Sequence, residues 1–141
     1  MLILEQYFNG KAHAPSHESN AAKLLDVVNP FLAEAAAAEA YEYSLDPDTG
    51  TQVSGAKSGS GDGAFRLPTS TTGSKLSKHR EANAVDVYDP DRKLAAWCVL
   101  NKAILAKYGL YMEDPRWTPG WVHLQRVPPG SGKIIYVPSK S

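Results

Sequence analysis

Apolar residues recur at intervals of three and four in two long stretches of the chain, as they do in a helix with one buried face. The first stretch predicts a helix over 21–40, with Asn20 as its N-cap and with Pro30 either kinking it or dividing it in two. The second stretch predicts a helix over 92–108 that ends at Gly109. These are the two main helices that the sequence predicts.

Residue types refine the prediction for the second helix. Asp89 and Asp91 stand just before it, and either carboxylate could accept the first free backbone N–H groups as an N-cap. Cys98 lies among the apolar residues of this helix, so we interpret it as a small core residue and not as a nucleophile. It is also the single cysteine of the chain, which excludes an internal disulfide.

Short runs of β-branched and aromatic residues predict the strands. Alternating residues around Asp86 are typical of a partly buried strand, and P-P-G-S-G predicts a hairpin-like turn into the last strand. Further strands are expected in T-Q-V-S-G and at 63–67, 110–112, 121–127 and 133–137. We therefore expect an α+β domain, in which a small, mostly antiparallel sheet is flanked by the two main helices.

The length of the chain, 141 residues, predicts a single domain over 1–141. Residues 1–19 are expected to form an N-terminal arm, apolar at its start and polar afterwards. The stretch 45–62 is rich in Gly and Ser and predicts a flexible loop. Its G-S-G-D-G segment is not followed by Gly-Lys-Ser/Thr, so a phosphate-binding loop is not indicated.

Two histidines of the N-terminal arm, His13 and His17, are four residues apart, a spacing that would place both on one face of a helix. Pro15 lies between them and argues against a helix at this point. We therefore interpret both as solvated loop histidines and not as a second metal site.

Charge and hydropathy exclude some classes of partner. Fifteen basic and fifteen acidic residues cancel, with no run of either sign, so the sequence does not indicate binding to nucleic acid or to an anionic membrane. No apolar stretch approaches the ~20 residues of a membrane span. The apolar N-terminal run is short and is interrupted by Glu5, so we expect no signal peptide.

The candidate chemistry lies in S-K-H-R-E-A-N-A-V-D-V-Y-D, residues 77–89. Asp86 falls within an apolar strand, where a carboxylate is costly to bury unless a cation pairs with it. His79, seven residues earlier, could bind the same cation, and nitrogen with oxygen ligation suits zinc. His123, in the apolar run G-W-V-H-L-Q, is the candidate third ligand. Two histidines and one aspartate would leave the fourth position open, as in catalytic zinc sites.

The pattern His-x6-Asp, preceded by Ser77 and containing Ala84, is followed late in the chain by Trp-x-His. It resembles the zinc D-alanyl-D-alanine carboxypeptidase family, and most of all its small phage and prophage branch. The wider superfamily includes endolysins, murein endopeptidases and the hedgehog domain. The resemblance covers 63–138, roughly half of the chain.

The resemblance implies a set of site residues on the expected sheet. They are the zinc ligands His79, Asp86 and His123, and the substrate-binding residues Arg66, Ser77 and Trp121. Arg66 would also have a catalytic role at the substrate carbonyl, because a planar guanidinium can hold a carbonyl or a carboxylate through two hydrogen bonds.

One position departs from the pattern of such enzymes, which usually carry Glu or Asp three residues before the last histidine as general base. Here that position is Gly120. The nearest acids upstream of His123 are Glu113 and Asp114, which are therefore the candidate catalytic acids, with Glu113 favoured for its longer reach. The alternative is that both acids are solvated or pair with Arg116.

Two functions follow from this resemblance. The first is a hydrolase, a zinc metallopeptidase that cleaves peptidoglycan stem peptides or cross-links, as D-Ala-D-Ala carboxypeptidases and phage endolysins do. The second is a non-catalytic bacteriophage tail or capsid protein that keeps the metal site structurally and contacts other virion proteins. We expect the protein in the host cytoplasm until lysis, or associated with the virion.

Overall fold

The computed structural model of the chain describes residues 1–55, 63–67 and 78–138, and within them it has four α-helices and a four-stranded sheet. The helices are α1 Leu4–Phe8, α2 Pro15–Ala37, α3 Lys93–Leu100 and α4 Lys102–Lys107. The strands are β1 Ala84–Tyr88, β2 Tyr111–Glu113, β3 Trp121–Gln125 and β4 Ile135–Tyr136. Two 3₁₀ turns, Lys78–Glu81 and Pro115–Trp117, precede β1 and β3. The predicted α+β class is confirmed.

The long helix α2 begins earlier than predicted. It starts at Pro15, because a proline in the first turn loses no intrahelical hydrogen bond. The Nδ1 atom of His17 accepts a hydrogen bond from the backbone N–H of Ala14 at 3.0 Å, which satisfies a donor just before the helix. The prediction that Pro15 excludes a helix around His17 is therefore wrong, whereas His13 does lie in an exposed loop.

The buried face of α2 is the one that the periodicity predicted. Pro30 lies inside the helix, which runs without interruption through it to Ala37. Asn20 is not the cap but a helical residue, and its Nδ2 donates to the backbone carbonyl of Glu81 at 2.9 Å. The buried residues of the helix are Ala21, Leu24, Leu25, Val28, Phe31, Leu32 and Ala35.

The second predicted helix is divided in two at Asn101, where the backbone leaves the helical region with φ −130°. The Nδ2 atom of Asn101 donates to the carbonyl oxygen of Trp97 at 2.8 Å. Side-chain amides that bond to nearby backbone in this way compete with helical hydrogen bonds. The prediction of one continuous helix over 92–108 is therefore wrong, while Cys98 is buried in the core as expected.

Two carboxylates bind the start of α3, although the N-cap position itself is Arg92 and not Asp89 or Asp91 as predicted. Asp89 is buried, and its two oxygens accept from the backbone N–H groups of Leu94 at 3.1 Å and Ala95 at 2.9 Å. Asp91 is exposed, and among the described residues its side chain accepts a hydrogen bond only from Lys93 N–H, at 3.1 Å. Asp89 thus satisfies two of the N–H groups that the first turn of a helix leaves without an intrahelical acceptor.

The four strands form a mixed sheet in the order β1-β3-β2-β4. Strand β3 pairs antiparallel with both β1 and β2, whereas β4 pairs parallel with β2. The predictions of a mostly antiparallel sheet and of a hairpin-like turn at P-P-G-S-G are therefore wrong. Both edges of β3 are already paired, so the chain after the turn continues to the free edge of β2.

Two predicted strands are not strands in the described part of the chain. T-Q-V-S-G contributes one isolated bridge, between Val53 and Val87, and 63–67 forms no strand. Both segments nevertheless lie along β1, because Ser54 N–H donates to the carbonyl of Asp86 and Asp86 N–H to the carbonyl of Gly63. A Cβ at residue 63 would lie 1.9 Å from the carbonyl oxygen of Ser54, so only glycine permits this approach.

The sheet has two chemically different faces, because successive side chains of a strand point to opposite sides. One face is apolar and shares the core with the buried residues of α2 and α3; it carries Val85, Val87, Met112, Val122 and Leu124. The other face carries the polar and aromatic residues Asp86, Tyr88, Glu113, Trp121, His123, Gln125 and Tyr136. The candidate site lies on this second face.

The N-terminal residues pack against the segments that hold the site. The hydroxyl of Tyr7, in α1, donates to the carbonyl of Ala84 at 2.7 Å, and Lys11 Nζ donates to the carbonyl of Phe65 at 2.7 Å. The predicted arm therefore supports β1 and the 63–67 segment. Among the described residues, no helix is both long and apolar enough to cross a bilayer.

We predict that Asp89→Ala destabilises the fold, because the N–H groups of Leu94 and Ala95 lose their acceptor in a buried position. The free energy of unfolding should fall by about 1–3 kcal/mol, measured by denaturant unfolding. Asp91→Ala is the matched control and should cost less than about 1 kcal/mol, since it removes one exposed bond. Equal losses in both variants would contradict the capping role of Asp89.

Candidate metal centre

Three predicted metal ligands meet on the polar face of the sheet. Asp86 in β1 and His123 in β3 are direct cross-strand partners. His79 lies in the 3₁₀ turn Lys78–Glu81, which leads into β1. All three side chains are buried, with Asp86 only 2% exposed. A loop residue and two neighbouring strand residues are thereby brought to one point.

The atoms of these side chains form a nearly equilateral triangle. Asp86 Oδ1 is 3.1 Å from His79 Nε2 and 3.0 Å from His123 Nδ1. The two nitrogens are 3.2 Å apart. Ligands at about 2.0–2.1 Å from a tetrahedral zinc ion are separated by about 3.3 Å. The group therefore has the composition and nearly the spacing of three ligands of one metal ion, and it could hold one.

The outer hydrogen bond of His79 sets its tautomer. Nδ1 lies 2.8 Å from the carbonyl oxygen of Ala64, which can only accept a hydrogen bond. Nδ1 therefore carries the ring proton in the neutral imidazole, and Nε2 presents a lone pair towards Asp86. A bond from the outer nitrogen to a backbone carbonyl is the usual arrangement for a metal-binding histidine.

His123 is set in the same way by Gln125. Its Nε2 lies 2.8 Å from Gln125 Oε1, which also accepts from the hydroxyl of Tyr136 at 2.6 Å. The amide orientation is fixed at the other end, where Gln125 Nε2 donates to the carbonyl of Val127 at 2.7 Å. Nε2 of His123 is therefore the protonated nitrogen of the neutral ring, and Nδ1 presents its lone pair to the same point as His79 Nε2.

Three lone pairs that face each other at 3.0–3.2 Å repel unless a proton or a cation lies between them. Burial lowers the pKa of His79 below its ordinary value, which favours its neutral form. Burial acts in the same direction on His123, but the hydrogen bond and the charge of Asp86 outweigh it and raise the pKa of His123. One proton, on His123, can relieve part of the repulsion, whereas a divalent cation would satisfy all three atoms at once.

Asp86 is ionised in this arrangement. Burial acts to raise its pKa, but when the imidazole nitrogens that face it carry a proton, the charge of His79 and the hydrogen bonds from both rings outweigh burial and hold the pKa of Asp86 well below its usual range. The guanidinium of Arg66, itself buried, has Nη2 at 3.8 Å from Asp86 Oδ2, the oxygen that does not face the histidines. Arg66 thus lies beside the site, although its segment is not the predicted strand.

Of the two candidate acids, only Glu113 lies on the face of the site. The β2–β3 register pairs Met112 with Leu124, and continued by one residue it sets Glu113 opposite His123. The negative charge of Glu113 contributes to the raised pKa of His123 and, after burial, to that of Tyr136. A carboxylate is therefore close to the metal-binding group without being part of it.

The Asp114 carboxylate is bound to Arg116. It accepts from Arg116 Nε at 3.1 Å and Nη2 at 2.9 Å, and the backbone N–H of Arg116 donates to it at 3.0 Å. The hydrogen bonds from the Arg116 side chain are the main cause of the lowered pKa of Asp114. Pairing with Arg116, which the sequence left open for both acids, thus applies to Asp114.

Three further positions singled out in the sequence are Trp121, Gly120 and Ser77. Trp121 is the cross-strand partner of Tyr88, two residues from His123 and on the same face. Gly120 has φ +97°, a conformation that favours glycine, and its carbonyl accepts from Asp89 N–H at 2.9 Å. Ser77 lies outside the described residues, so its predicted role stays a prediction.

Gln125 and Tyr136 were not predicted as site residues. Gln125 could have been found, because the spacing of two in H-L-Q places it on the same strand face as His123. Tyr136 could not, because it reaches Gln125 only through the parallel pairing of β4 with β2.

The chain was compared with protein-family models, with curated proteins and with solved structures, and none of them matches it.

We predict that the purified protein holds about one zinc ion per chain, and that His79→Ala and His123→Ala abolish this binding because each removes one of three ligands. Metal analysis after gel filtration measures the occupancy. His13→Ala and His17→Ala are the matched controls, since these histidines lie outside the ligand group, and should retain the metal. Unchanged zinc content in both ligand variants would exclude the site.

We predict that Gln125→Leu weakens zinc binding although it leaves all three ligands in place. Loss of an outer hydrogen bond to a ligating histidine typically reduces metal affinity about 10–100-fold, and competition with a chelator measures it. Tyr136→Phe keeps the Gln125 oxygen and should have a smaller effect. Wild-type affinity in Gln125→Leu would show that Gln125 does not position His123.

Proposed function

We propose that the chain is a zinc-dependent peptidase of peptidoglycan stem peptides or cross-links, of the kind found in D-Ala-D-Ala carboxypeptidases and phage endolysins. The observation that carries the proposal is the convergence of His79 Nε2, His123 Nδ1 and Asp86 Oδ1, with both imidazole tautomers set for metal binding. The resemblance of the sequence pattern to the zinc carboxypeptidase family supports the choice of substrate class.

Zinc is the metal that this ligand set suits best. Two imidazole nitrogens and one carboxylate oxygen match the ligands of catalytic zinc sites, which use three protein ligands and leave one position for water or substrate. A zinc ion bound there would act as a Lewis acid on an amide carbonyl and would lower the pKa of a water molecule.

The residues around the ligands supply the other requirements of amide hydrolysis. Glu113, on the same sheet face and opposite His123, is the carboxylate to take a proton from the attacking water and return it to the leaving amine. Arg66, held beside Asp86, offers N–H donors to the substrate carbonyl or to a terminal carboxylate. Both groups are on or against the sheet, which limits their movement.

A second candidate function has one specific observation in its favour. Gly120 occupies the usual position of the general base and has no side chain, and its φ of +97° suits glycine more than any acid. The alternative is therefore a non-catalytic virion protein, of a phage tail or capsid, in which the metal holds the turn at His79 to strands β1 and β3. In either case the protein would act in the host cytoplasm until lysis or within the virion.

We predict that wild type releases peptides from peptidoglycan and that Glu113→Gln lowers this activity by ~10²-fold or more, as removal of a general base does. Release of new amino groups from purified cell walls measures it, at matched zinc occupancy. Asp114→Asn is the matched control and should keep the activity, because Asp114 pairs with Arg116.

The outcomes separate the two candidate functions. If wild type cleaves and Glu113→Gln cleaves equally well, the assignment of the base is wrong. If wild type binds zinc and releases nothing from any type of cell wall, the structural function replaces the peptidase.

A further inference from the structure

A groove of about 410 Å³ lies next to the metal ligands on the polar face of the sheet. Its floor is the cross-strand pair Tyr88 and Trp121, and one wall is the turn that contains Asp46 and Asp48. Both aromatic side chains are only partly buried, so part of each remains accessible from the groove.

The groove continues directly from the metal centre. Tyr88 lies two residues after Asp86 along β1, and its cross-strand partner Trp121 lies two residues before His123 along the antiparallel strand β3. Two residues of a strand span about 7 Å. An extended peptide bound over the face has the same repeat. A peptide whose amide lies at the metal ligands therefore places a side chain one or two residues away into the groove.

The charged groups of the groove are acidic. The carboxylate of Asp46 accepts from the backbone N–H groups of Asp48 at 2.8 Å and Gly55 at 2.9 Å, which holds it in place on the wall. Asp48 is exposed, and within the described part of the chain its carboxylate has no hydrogen bond or ion pair. Neither lysine nor arginine is among the described residues that line the groove.

Carboxylates beside accessible aromatic rings are the groups that attract an ammonium ion, through charge and through the ring faces. Arg66 also lies beside the metal centre, with Nη2 3.8 Å from Asp86 Oδ2, and it is not among the described residues that line the groove. The charge of Arg66 is thus partly balanced by Asp86, whereas the groove itself carries the negative charge of Asp48. The charge of the groove complements a peptide that has a cationic side chain one or two residues from the scissile amide.

We infer that this groove binds the ammonium group of a lysine-like side chain in the peptide substrate, with Asp48 as its counter-ion and Trp121 as its aromatic surface. The inference rests on the proposed function for the peptide that passes the metal centre. It adds a specificity that the metal centre itself does not provide, because the roles proposed for Glu113 and the metal ligands involve only the backbone amide.

The test compares two peptides that differ only in the charged group, Nα-acetyl-Lys-D-Ala-D-Ala and its norleucine analogue. Calorimetry measures their binding to the full zinc-loaded Glu113→Gln protein, in which turnover is slow. We expect the lysine peptide to bind about three- to tenfold more tightly. The preference should decrease in 0.5 M salt, because partly exposed charges are screened.

Matched variants locate the preference. Asp48→Asn and Trp121→Leu should abolish it, whereas Asp26→Asn and Trp117→Leu, the same changes at exposed positions away from the groove, should retain it. Equal binding of the two peptides, or a preference that survives Asp48→Asn, would overturn the inference.

Cleavage by the wild-type protein is measured in parallel, so that the two proposals can fail separately. Cleavage of both peptides at equal kcat/KM would overturn the groove inference and leave the peptidase proposal standing. A lysine preference in binding without cleavage of either peptide would support the groove and count against the peptidase.

Discussion

The meeting of Asp86 with two histidine lone pairs is the interaction on which the rest of the site depends. A carboxylate that is 2% exposed, as Asp86 is in strand β1, costs several kcal/mol unless its charge is balanced. Arg66 balances part of it from one side, and the side that faces His79 and His123 is left for a proton or a metal ion. A cation bound at this site would therefore stabilise the native chain. Loss of that cation would leave the negative partial charges of the three ligand atoms facing one another.

The three candidate ligands are held in position by contacts with the protein's own backbone and side chains. Ala64 and Gln125 set the two imidazole tautomers, and the main-chain pairing of β1 with β3 sets the distance between Asp86 and His123. Lys11 binds the carbonyl of Phe65, between Ala64 and Arg66, and so connects the N-terminal residues to the same support. Small zinc domains without a core fold only when the metal binds. Here a sheet and a hydrophobic core hold the ligands, so we expect metal-free protein to retain the fold with reduced stability.

What the sequence could predict depends on whether the determining contacts are local. The face of α2 follows from a period of 3.6 residues, and the grouping of His79 with Asp86 follows from their closeness in the chain and the cost of burying an acid. The break at Asn101 depends on one side-chain hydrogen bond to Trp97, and the place of β4 depends on which strand edge is free. Neither is visible in a hydrophobic pattern. Tyr136 was missed as a site residue for the same reason, since its contact with Gln125 follows from that pairing.

The position of Gly120 shows how the fold constrains the chemistry of the proposed peptidase. Its carbonyl binds Asp89 N–H, and the Asp89 carboxylate holds the start of α3, so the backbone at 120 is coupled to a helix terminus. A glutamate there would have to adopt φ near +97°, at a cost of about 1–2 kcal/mol. A carboxylate supplied from β2 avoids that cost, because Glu113 has ordinary strand geometry and the register brings it to His123. In such a site the pairing of β2 with β3 sets the position of Glu113 relative to His123. A paired strand is more rigid than the loop before β3.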